Sequence, residues 1–367
     1  MDQLTQILFD AVTLGAIYAL IAVGYTMVYG IILLINFAHG EIFMIGTYVG
    51  LLCVADGGLP LAIAMLAAMG ACAMLGAVLD FSAYLPLRRT HGLPDKLSIV
   101  GLAGFSLLAI AYFQVVRADP TATAVMVLGV LLVAIPALLF VVALVALLGF
   151  LGRPSATVRS DRLCALITAI GMSLSLQTIA QLVWTAEYKS FPDPMLPPFL
   201  QEAVVTVAGT QLLGKEVAIW GATLVLMVGL GYLVSYTRLG KAMRACAQDK
   251  DMASLMGVNV NYVIAMTFMV GSAMAAVAGI LYAIKVGGNI SPRMGYYPGV
   301  IAFAAAVLGG IGSIRGAVAG GFIIGLTQSL GAKVAGAYDF AFAFGLMIVV
   351  ILIRPWGLFG KAGAERA

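Results

Sequence analysis

The polar residues best placed for chemistry lie close together near the start of the chain. Residues 34–46, LINFAHGEIFMIG, contain Asn36, His39 and Glu41 between two apolar runs. These side chains could form the polar lining of a solute path, because ionisable residues inside a membrane protein usually have a functional role. The other interpretation is an interfacial turn, in which Asn36 and Gly40 form the bend. The sequence alone leaves both interpretations open.

The motifs support neither catalysis nor metal binding. Residues 209–216 fit the spacing GxxxxGK of a phosphate-binding loop, but Glu216 stands where such a loop needs Ser or Thr to bind Mg²⁺. The motif HExxH does not occur, and Ser and His are too sparse to argue for a catalytic triad. We therefore predict that the chain is not an enzyme and binds no metal. The cysteines have no metal-ligand spacing and are expected to be buried small hydrophobes: Cys53, Cys72, Cys164 and Cys246.

The composition indicates a membrane protein. Of 367 residues, 62% are hydrophobic and only 10% are charged, and the mean hydropathy is +1.07. Soluble domains carry about 25% charged residues, so a water-facing surface cannot be built from this chain. Many apolar runs approach the roughly 20 residues that cross a bilayer as a helix. The fold class predicted is an all-α polytopic membrane protein. The N-terminus has no basic region or cleavage site and is read as the start of the mature protein.

The length rule predicts eleven spans in this single transmembrane domain, 1–367. The second and the ninth are short enough to be half-spans or re-entrant segments, which often line transport paths. The spans are 11–35, 41–55, 61–81, 98–116, 122–151, 163–184, 217–236, 260–285, 299–312, 316–332 and 338–354.

The basic residues predict the orientation. Most of the 20 lysines and arginines fall on one side if the N-terminus is outside and the C-terminus is cytoplasmic. An odd number of spans agrees with ends on opposite sides. The stretch 185–216 is then an ordered external loop. Within the spans almost no charge is expected, so a proton- or sodium-coupled mechanism has no evident relay.

One loop on the predicted cytoplasmic side, 237–263, is polar and rich in helix-forming residues. Residues 241–255 read as a short helix, with Gly257 at a plausible C-cap position. One interpretation is a helix on the membrane surface that docks a partner, and the other is an ordinary solvated connection. The expected apolar face comprises Ala245, Met252, Leu255 and Met256, and the polar face comprises Arg244, Gln248, Asp249 and Lys250.

Four stretches resemble the membrane permease of branched-chain amino-acid ABC importers. They are TLGAIYALIAVGYTMVYGIILLINFAHGEIFMIG at 13–46, ALITAIGMS at 165–173, RACAQDKDMASLMGVN at 244–259 and AAVLGGIGSIRGAVAGG at 305–321. The resemblance covers about 1–89 and 160–360, so the fold it implies has about nine core transmembrane helices. Motifs of this length, in this order, are far more specific than a hydropathy profile.

The resemblance implies a multi-pass subunit of the bacterial inner membrane that imports branched-chain or similar neutral amino acids. Its expected partners are two ATP-binding subunits, a second homologous permease and an external solute-binding protein. The chain itself is expected to bind no cofactor, because ATP and Mg belong to the partner subunits. The stretch 237–258 resembles the family's cytoplasmic coupling loop. Its candidate coupling residues are Arg244, Ala247, Gln248, Asp249, Ala253 and Gly257.

The expected translocation path is mostly apolar, with dipoles that can meet a zwitterionic solute at broken helices. The resemblance favours the stretches around 36–41 and 168–173 as its borders. Residues 308–313, LGGIGS, are expected to unwind, whereas Gly316, Gly320, Gly321 and Gly325 are expected to pack helices. The candidate path residues are Asn36, His39, Glu41, Gly171, Ser173, Gly309, Gly310, Gly312 and Ser313.

The chain departs from the family pattern at three places. Residues 90–159 read as an inserted two-helix segment without a counterpart, Leu85 stands where an Arg is expected, and Gln248 stands where Glu is usual. Two functions compete with the importer subunit. One is a self-sufficient channel or facilitator for small neutral solutes, which would need no docking helix. The other is a related importer for amides or urea.

Overall fold

A computed structural model describes residues 2–85, 162–185, 187–191, 197–207, 209–287 and 290–360. The inserted segment 90–159, with the spans predicted at 98–116 and 122–151, lies outside the described residues. The described residues form eleven α-helices and one two-stranded sheet. The helices are α1 (Asp2–Ile32), α2 (His39–Ala55), α3 (Leu61–Leu79), α4 (Arg162–Trp184), α5 (Gly214–Tyr236), α6 (Arg238–Gln248), α7 (Lys250–Leu255), α8 (Val260–Val286), α9 (Tyr296–Gly309), α10 (Ile314–Ala335) and α11 (Asp339–Ile353).

Every predicted span within the described residues corresponds to a helix, which agrees with the predicted all-α membrane protein. Five of these helices, α1, α3, α5, α8 and α10, are long and apolar enough to cross a membrane. Three apolar helices are shorter: α2, α9 and α11. The short second and ninth spans are therefore short helices. The total number of spans and the orientation in the membrane stay predictions.

Small residues bring α10 against its two neighbours. A Cβ added to Gly321 would lie 2.5 Å from the backbone N of Ala19 on α1, and one added to Gly320 would lie 2.1 Å from the carbonyl O of Ala305 on α9. Gly325 approaches Gly15 as closely. Close backbone contact through small residues is how helices associate without a hydrophobic driving force between them. The predicted packing role of these glycines is confirmed.

A β-hairpin marks one end of the bundle, which we call the hairpin end. Strand β1 (Ala203–Val207) pairs with β2 (Thr210–Leu213) in antiparallel fashion. Gly209 has a φ of +82° at the turn between them, a conformation that glycine adopts without strain. The segment 209–216, with the spacing of a phosphate-binding loop, is therefore a hairpin that leads into α5.

The segment between α1 and α2 turns back into the bundle. His39, the first residue of α2, touches Gly24 of α1, where an added Cβ would lie 2.4 Å from the imidazole Nε2. Gly24 lies eight residues before the end of α1 at Ile32, which corresponds to about 12 Å along the helix. α2 consequently begins inside the bundle rather than at its end. The start of α9 meets it there, because Gly40 lies against Gly295 and Gly299.

The predicted helix 241–255 is in fact two helices, α6 and α7. Asp249 has an extended backbone, with φ −156° and ψ 115°, and its carboxylate accepts hydrogen bonds from the N–H groups of Asp251 and Met252. Asp249 thus ends α6 and caps α7, since Asp side chains favour such N-caps. Gly257 follows α7 with a φ of +84°, as its predicted place at the helix end requires. We call the end of the bundle that carries α6 and α7 the loop end.

The predicted break in LGGIGS is present. α9 ends at Gly309, Gly310 and Gly312 have φ values of +103° and +93°, and Ser313 caps α10 by accepting a hydrogen bond from the N–H of Gly316. The C-terminal segment covers the break, because the N–H groups of Leu358 and Phe359 donate to the carbonyls of Leu308 and Gly309.

Candidate functional site

A cavity of about 320 Å³ lies where the first turns of α2 and α9 meet α1 and α4. Its polar wall includes Glu41, Ser173, Gln177 and Arg293, and Tyr25 also lines it. A volume of this size is within the range of small-molecule sites. The cavity is therefore the candidate functional site among the described residues. Its apolar lining includes Phe37, Ile170, Leu174 and Val300.

Asn36 shapes the segment that enters the cavity region. Its Oδ1 accepts hydrogen bonds from the backbone N–H of Ala38, at 3.1 Å, and from the hydroxyl of Tyr84, at 3.0 Å. An Asn that bonds the backbone two residues later forms an Asx turn. Asn36 is thus a turn residue, as one interpretation expected, but it is buried beneath Tyr84 and does not line the cavity.

Glu41 joins α2 to α4 across the cavity. Its Oε1 accepts hydrogen bonds from Ser173 Oγ, at 3.2 Å, and Gln177 Nε2, at 3.1 Å. The residue is 1% exposed, and its Oε2 has no hydrogen-bond partner. Glu41 lies in the first turn of α2, inside the bundle, and its depth relative to the membrane surface stays a prediction. Buried carboxylates are usually fully hydrogen-bonded or paired with a charge, so this open oxygen requires an explanation.

His39 is buried beside the cavity but faces away from it. Its ring lies 4.7 Å, centroid to centroid, from the ring of Tyr25, and its Nε2 has no hydrogen-bond partner. The contact with Gly24 places the imidazole between α1 and α2. His39 is therefore buried outside the cavity lining, and it separates the two helices where Gly24 leaves room for it.

Three glycines form a rigid part of the wall. A Cβ on Gly40 would lie 2.6 Å from the carbonyl O of Gly295, and a Cβ on Gly295 would lie 2.4 Å from the carbonyl O of Gly40. A Cβ on Gly299 would lie 3.0 Å from the Cα of Gly40. This close approach brings the first turns of α2 and α9 together, and it places Gly295 beside Glu41 Oε2.

The other candidate path residues lie elsewhere. Gly171 lies on an exposed face of α4 with open space around it, two residues from Ser173. Gly309 ends α9 about ten residues further along the helix than Gly299, which corresponds to about 15 Å, and Gly310, Gly312 and Ser313 follow it. The C-terminal segment contacts Gly309 and Gly310, whereas Gly312 is exposed. The structure therefore brings Glu41 and Ser173 together, and keeps the LGGIGS break separate from them.

Sequence reasoning missed several polar residues of the cavity, among them Gln177, Tyr25 and Arg293. Gln177 lies four residues after Ser173, which places both on one face of a helix, and this spacing is a signal that could have identified it. Tyr25 lies within the first apolar run, where an aromatic residue carries no signal of its own. Arg293 lies in a loop that is distant in sequence from the other lining residues, and only the fold brings it to the cavity.

The α6–α7 segment is fixed to the ends of two long helices. The Arg244 guanidinium donates to the carbonyl oxygens of Val234 and Ser235 at the end of α5. The Lys250 ammonium donates to the carbonyl oxygen of Ile32, at 3.3 Å, at the end of α1. A displacement of this segment would therefore be passed directly to α1 and α5.

The exposed surface of α7 and its flank includes three large apolar side chains beside the polar residues Asp251 and Ser254. Met252, Leu255 and Met256 are 61%, 78% and 85% exposed, whereas the buried side is formed by Met243, Cys246 and Ala253. Met252, Leu255 and Met256 thus share an exposed region, as the expected apolar face required. This region does not pack on the bundle. Of the candidate coupling residues, Ala253 is buried and Ala247, Gln248, Asp249 and Gly257 are exposed. Burial also raises the pKa of the Cys246 thiol.

Three of the four cysteines are free and buried, as predicted: Cys53, Cys72 and Cys246.

A family model described as "Branched-chain amino acid transport system / permease component" matches residues 7–92 and 95–351. The two ranges state where the match begins and ends, but not which residues inside them lack a counterpart in the family. The insertion expected at 90–159 therefore stays a prediction. No solved structure matches the chain.

The similar proteins are permeases. The high-affinity branched-chain amino acid transport system permease protein BraD of Pseudomonas aeruginosa is 36% identical over 362 residues, which cover 98% of this chain and 97% of BraD. The permease protein LivH of the corresponding system in Escherichia coli K12 is 36% identical over 373 residues, with the same coverage. The fructose import permease protein FrcC of Rhizobium meliloti is 27% identical over 155 residues, 39% of this chain and 42% of FrcC. The chain therefore belongs to the family of permease components of branched-chain amino acid transport systems.

Proposed function

We propose that this chain is the membrane permease subunit of an ATP-binding-cassette importer that moves branched-chain or similar neutral amino acids into the cell. The observation that carries the proposal is the match to BraD and LivH over 97% of their own lengths. A match of that extent includes the whole permease, not one shared module. ATP hydrolysis belongs to two separate ATP-binding subunits, and a second, homologous permease and an external binding protein complete the importer.

The solute path runs past the Glu41 cavity. The cavity opens beside exposed residues of α4 and α9, among them Ile170, Tyr296 and Tyr297. A path between two permeases would pass along such a surface. Half-helices that begin inside the membrane are typical of transport sites because their first turns present backbone dipoles to the solute. The first turns of α2 and α9, which meet inside the bundle, support such a site here.

The α6–α7 segment receives the ATP-binding subunits. Its apolar exposed residues, Met252, Leu255 and Met256, contact these subunits, since clustered exposed apolar side chains mark interaction sites. Arg244 and Lys250 pass the movement to α5 and α1. Since α1 leads directly into the segment that carries Glu41, a rigid-body displacement of the loop end would reach the cavity.

The loop end faces the cytoplasm and the hairpin end faces the external binding protein. This orientation follows the basic residues, which are concentrated in the loops and tail of the loop end. It also places the β1–β2 hairpin where a delivered solute would enter. The membrane is the bacterial inner membrane, in which such importers work.

Co-purification and uptake test the proposal together. The tagged protein is extracted from its native membrane in mild detergent and the associated proteins are identified, with a known importer complex as the control for detergent survival. Two ATP-binding subunits and a second permease are expected. The complex, placed in liposomes with its binding protein, should take up leucine only when ATP is enclosed. A lone chain or homo-oligomer that passes solute without ATP would identify a channel instead.

A further inference from the structure

Glu41 is a buried carboxylate with incomplete hydrogen bonding among the residues that the structure describes. Oε1 accepts two neutral hydrogen bonds, from Ser173 and Gln177, and Oε2 accepts none. Within the described residues, no Lys or Arg forms an ion pair with it. A buried carboxylate that lacks a cation costs free energy, and the cost is offset when a cation enters the site.

A positive side chain lines the same cavity without neutralising Glu41. Arg293 lies in the loop before α9, is exposed, and forms no ion pair with Glu41. A guanidinium is always charged and binds carboxylates through two parallel hydrogen bonds. The cavity is thus lined by the buried carboxylate of Glu41 and by the exposed guanidinium of Arg293. Much of the remaining wall is apolar.

We infer that this cavity binds the head group of a free amino acid, with the α-ammonium on Glu41 Oε2 and the α-carboxylate on Arg293. The inference rests on the proposed function, and it assigns the residues that hold the two charged groups of the solute. The solute's side chain lies against Phe37, Ile170 and Leu174, whose apolar surfaces fit an aliphatic group. No bond is made or broken, and the site holds the solute by charge complementarity during transit.

The pair of opposite charges separates this solute class from the alternatives. Urea and simple amides carry no charge, so neither Glu41 nor Arg293 would gain an ionic partner from them. A solely structural Glu41 would bridge α2 to α4 through Oε1, and a glutamine would preserve that bridge because its carbonyl oxygen accepts the same two hydrogen bonds. The substitution Glu41→Gln therefore removes the charge and retains the bridge.

The experiment is leucine uptake by the reconstituted importer, with its ATP-binding subunits and leucine-loaded binding protein. We expect Glu41→Gln to lower the uptake rate per assembled complex about 10- to 100-fold, because a charge-assisted hydrogen bond to the solute is lost. The matched control is Asp56→Asn, which removes a carboxylate from the exposed residue that follows the same helix. This control should transport as the wild type does.

A second pair of variants tests the other half of the site. Arg293→Gln removes the charge at an exposed position and should lower uptake about tenfold or more. Arg293→Lys keeps the charge but loses the paired hydrogen bonds, so its uptake should lie between that of Arg293→Gln and that of the wild type. This pair decides the question if Glu41→Gln fails to assemble with the ATP-binding subunits. Glu41→Gln or Arg293→Gln within twofold of the wild type would overturn the inference.

The inference and the proposed function can fail separately. If the wild-type complex takes up leucine with ATP and Glu41→Gln matches it, the importer stands and the head-group site does not. If the assembled wild-type complex shows no ATP-driven uptake of leucine, the proposed function fails first. If it takes up urea or an amide but no leucine, the solute class named here is wrong.

Discussion

A partly buried charge cluster around Lys285 and the buried carboxylate of Glu41 occupy different places in the bundle and are bonded differently. At the hairpin end, the Lys285 ammonium on α8 lies 2.6 Å from Asp10 Oδ1 on α1 and 3.0 Å from Glu216 Oε1 on α5. The remaining carboxylate oxygens also have donors, since Gln6 donates to Asp10 Oδ2 and the N–H of Leu213 donates to Glu216 Oε2. In the cavity, Glu41 keeps an oxygen without a donor.

The difference separates a charge that holds the fold together from one that is left for a ligand. Lys285 ties three helices and the end of the hairpin into one closed network, in which every carboxylate oxygen is satisfied. Buried ion pairs rarely add much stability over an apolar core, but removal of one partner is strongly destabilising. Glu41 ties only two helices, uses neutral donors, and opens onto a cavity. Its incomplete bonding is the feature expected of a site rather than a brace.

The largest expected effect breaks the closed cluster. Lys285→Met keeps the length and packing of the side chain but leaves Asp10 and Glu216 without a cation. We expect the free energy of unfolding to fall by about 3–5 kcal/mol. The measurement is the unfolding of the purified protein in dodecyl maltoside as sodium dodecyl sulfate is added, with loss of helical signal as the readout.

A compensated variant is the control for that prediction. The triple substitution Lys285→Met, Asp10→Asn and Glu216→Gln removes all three charges while retaining polar groups of similar size. Most of the lost stability should return, because no uncompensated charge remains. If the triple variant were as unstable as Lys285→Met alone, packing of the lysine stem rather than charge would explain the loss.

A smaller effect is expected where the wall of the open cavity is rigid. Gly40→Ala would place a methyl group 2.6 Å from the carbonyl O of Gly295, and backbone at that distance must shift. Overpacking of this kind costs about 1–3 kcal/mol and would part α2 from α9. Both the unfolding free energy and leucine uptake should fall.

Gly171→Ala is the matched substitution on the facing helix. An added Cβ there meets nothing within 4 Å, so stability should stay the same or rise slightly as the helix gains an alanine. If the Gly40 and Gly171 variants had the same unfolding free energy and the same leucine uptake, the cavity wall would tolerate displacement at Gly40. The wall would then be no more rigid than the exposed face of α4.

The sequence predicted the helices far better than it predicted the depth of the polar residues. Long apolar runs identify spans because a bilayer requires a fixed helix length. Depth depends on where a helix begins relative to its neighbours. Asn36 reads as a turn residue and is one, yet the turn lies inside the bundle, because Gly24 admits His39 and Gly40 admits Gly295. Those contacts join positions that no local pattern connects.

Long-range pairing explains the remaining misses. Lys285 lies at the end of an apolar run, and its partners Asp10 and Glu216 are 275 and 69 residues away in sequence. Arg293 reaches the cavity in the same way. By contrast, the position of Gly257 could be predicted, because a glycine after a helix is a local signal that depends on its own φ.

A third prediction concerns the coupling between the loop end and the Glu41 cavity. Gly257→Val places a β-branched residue at a φ of +84°, which costs about 1–2 kcal/mol of local strain and distorts the end of α7. We expect ATP hydrolysis by the assembled complex to continue while leucine uptake per ATP falls several-fold. Gly257→Asn is the control, since Asn tolerates this conformation, and it should keep most of the coupling. Unchanged uptake by the valine variant would count against a coupling role.

The smallest expected effect on stability is at Glu41, in contrast to the large effect expected for Lys285→Met. In Glu41→Gln the amide oxygen still accepts from Ser173 and Gln177, and the amide nitrogen replaces an oxygen that had no donor. The free energy of unfolding should therefore change by less than about 1 kcal/mol, within the range of a single net hydrogen bond. The same detergent titration used for Lys285→Met measures it. A loss of about 3 kcal/mol or more would place Glu41 with Lys285 as a structural charge. A small change together with lost uptake would mean that the fold does not need this carboxylate and the solute does.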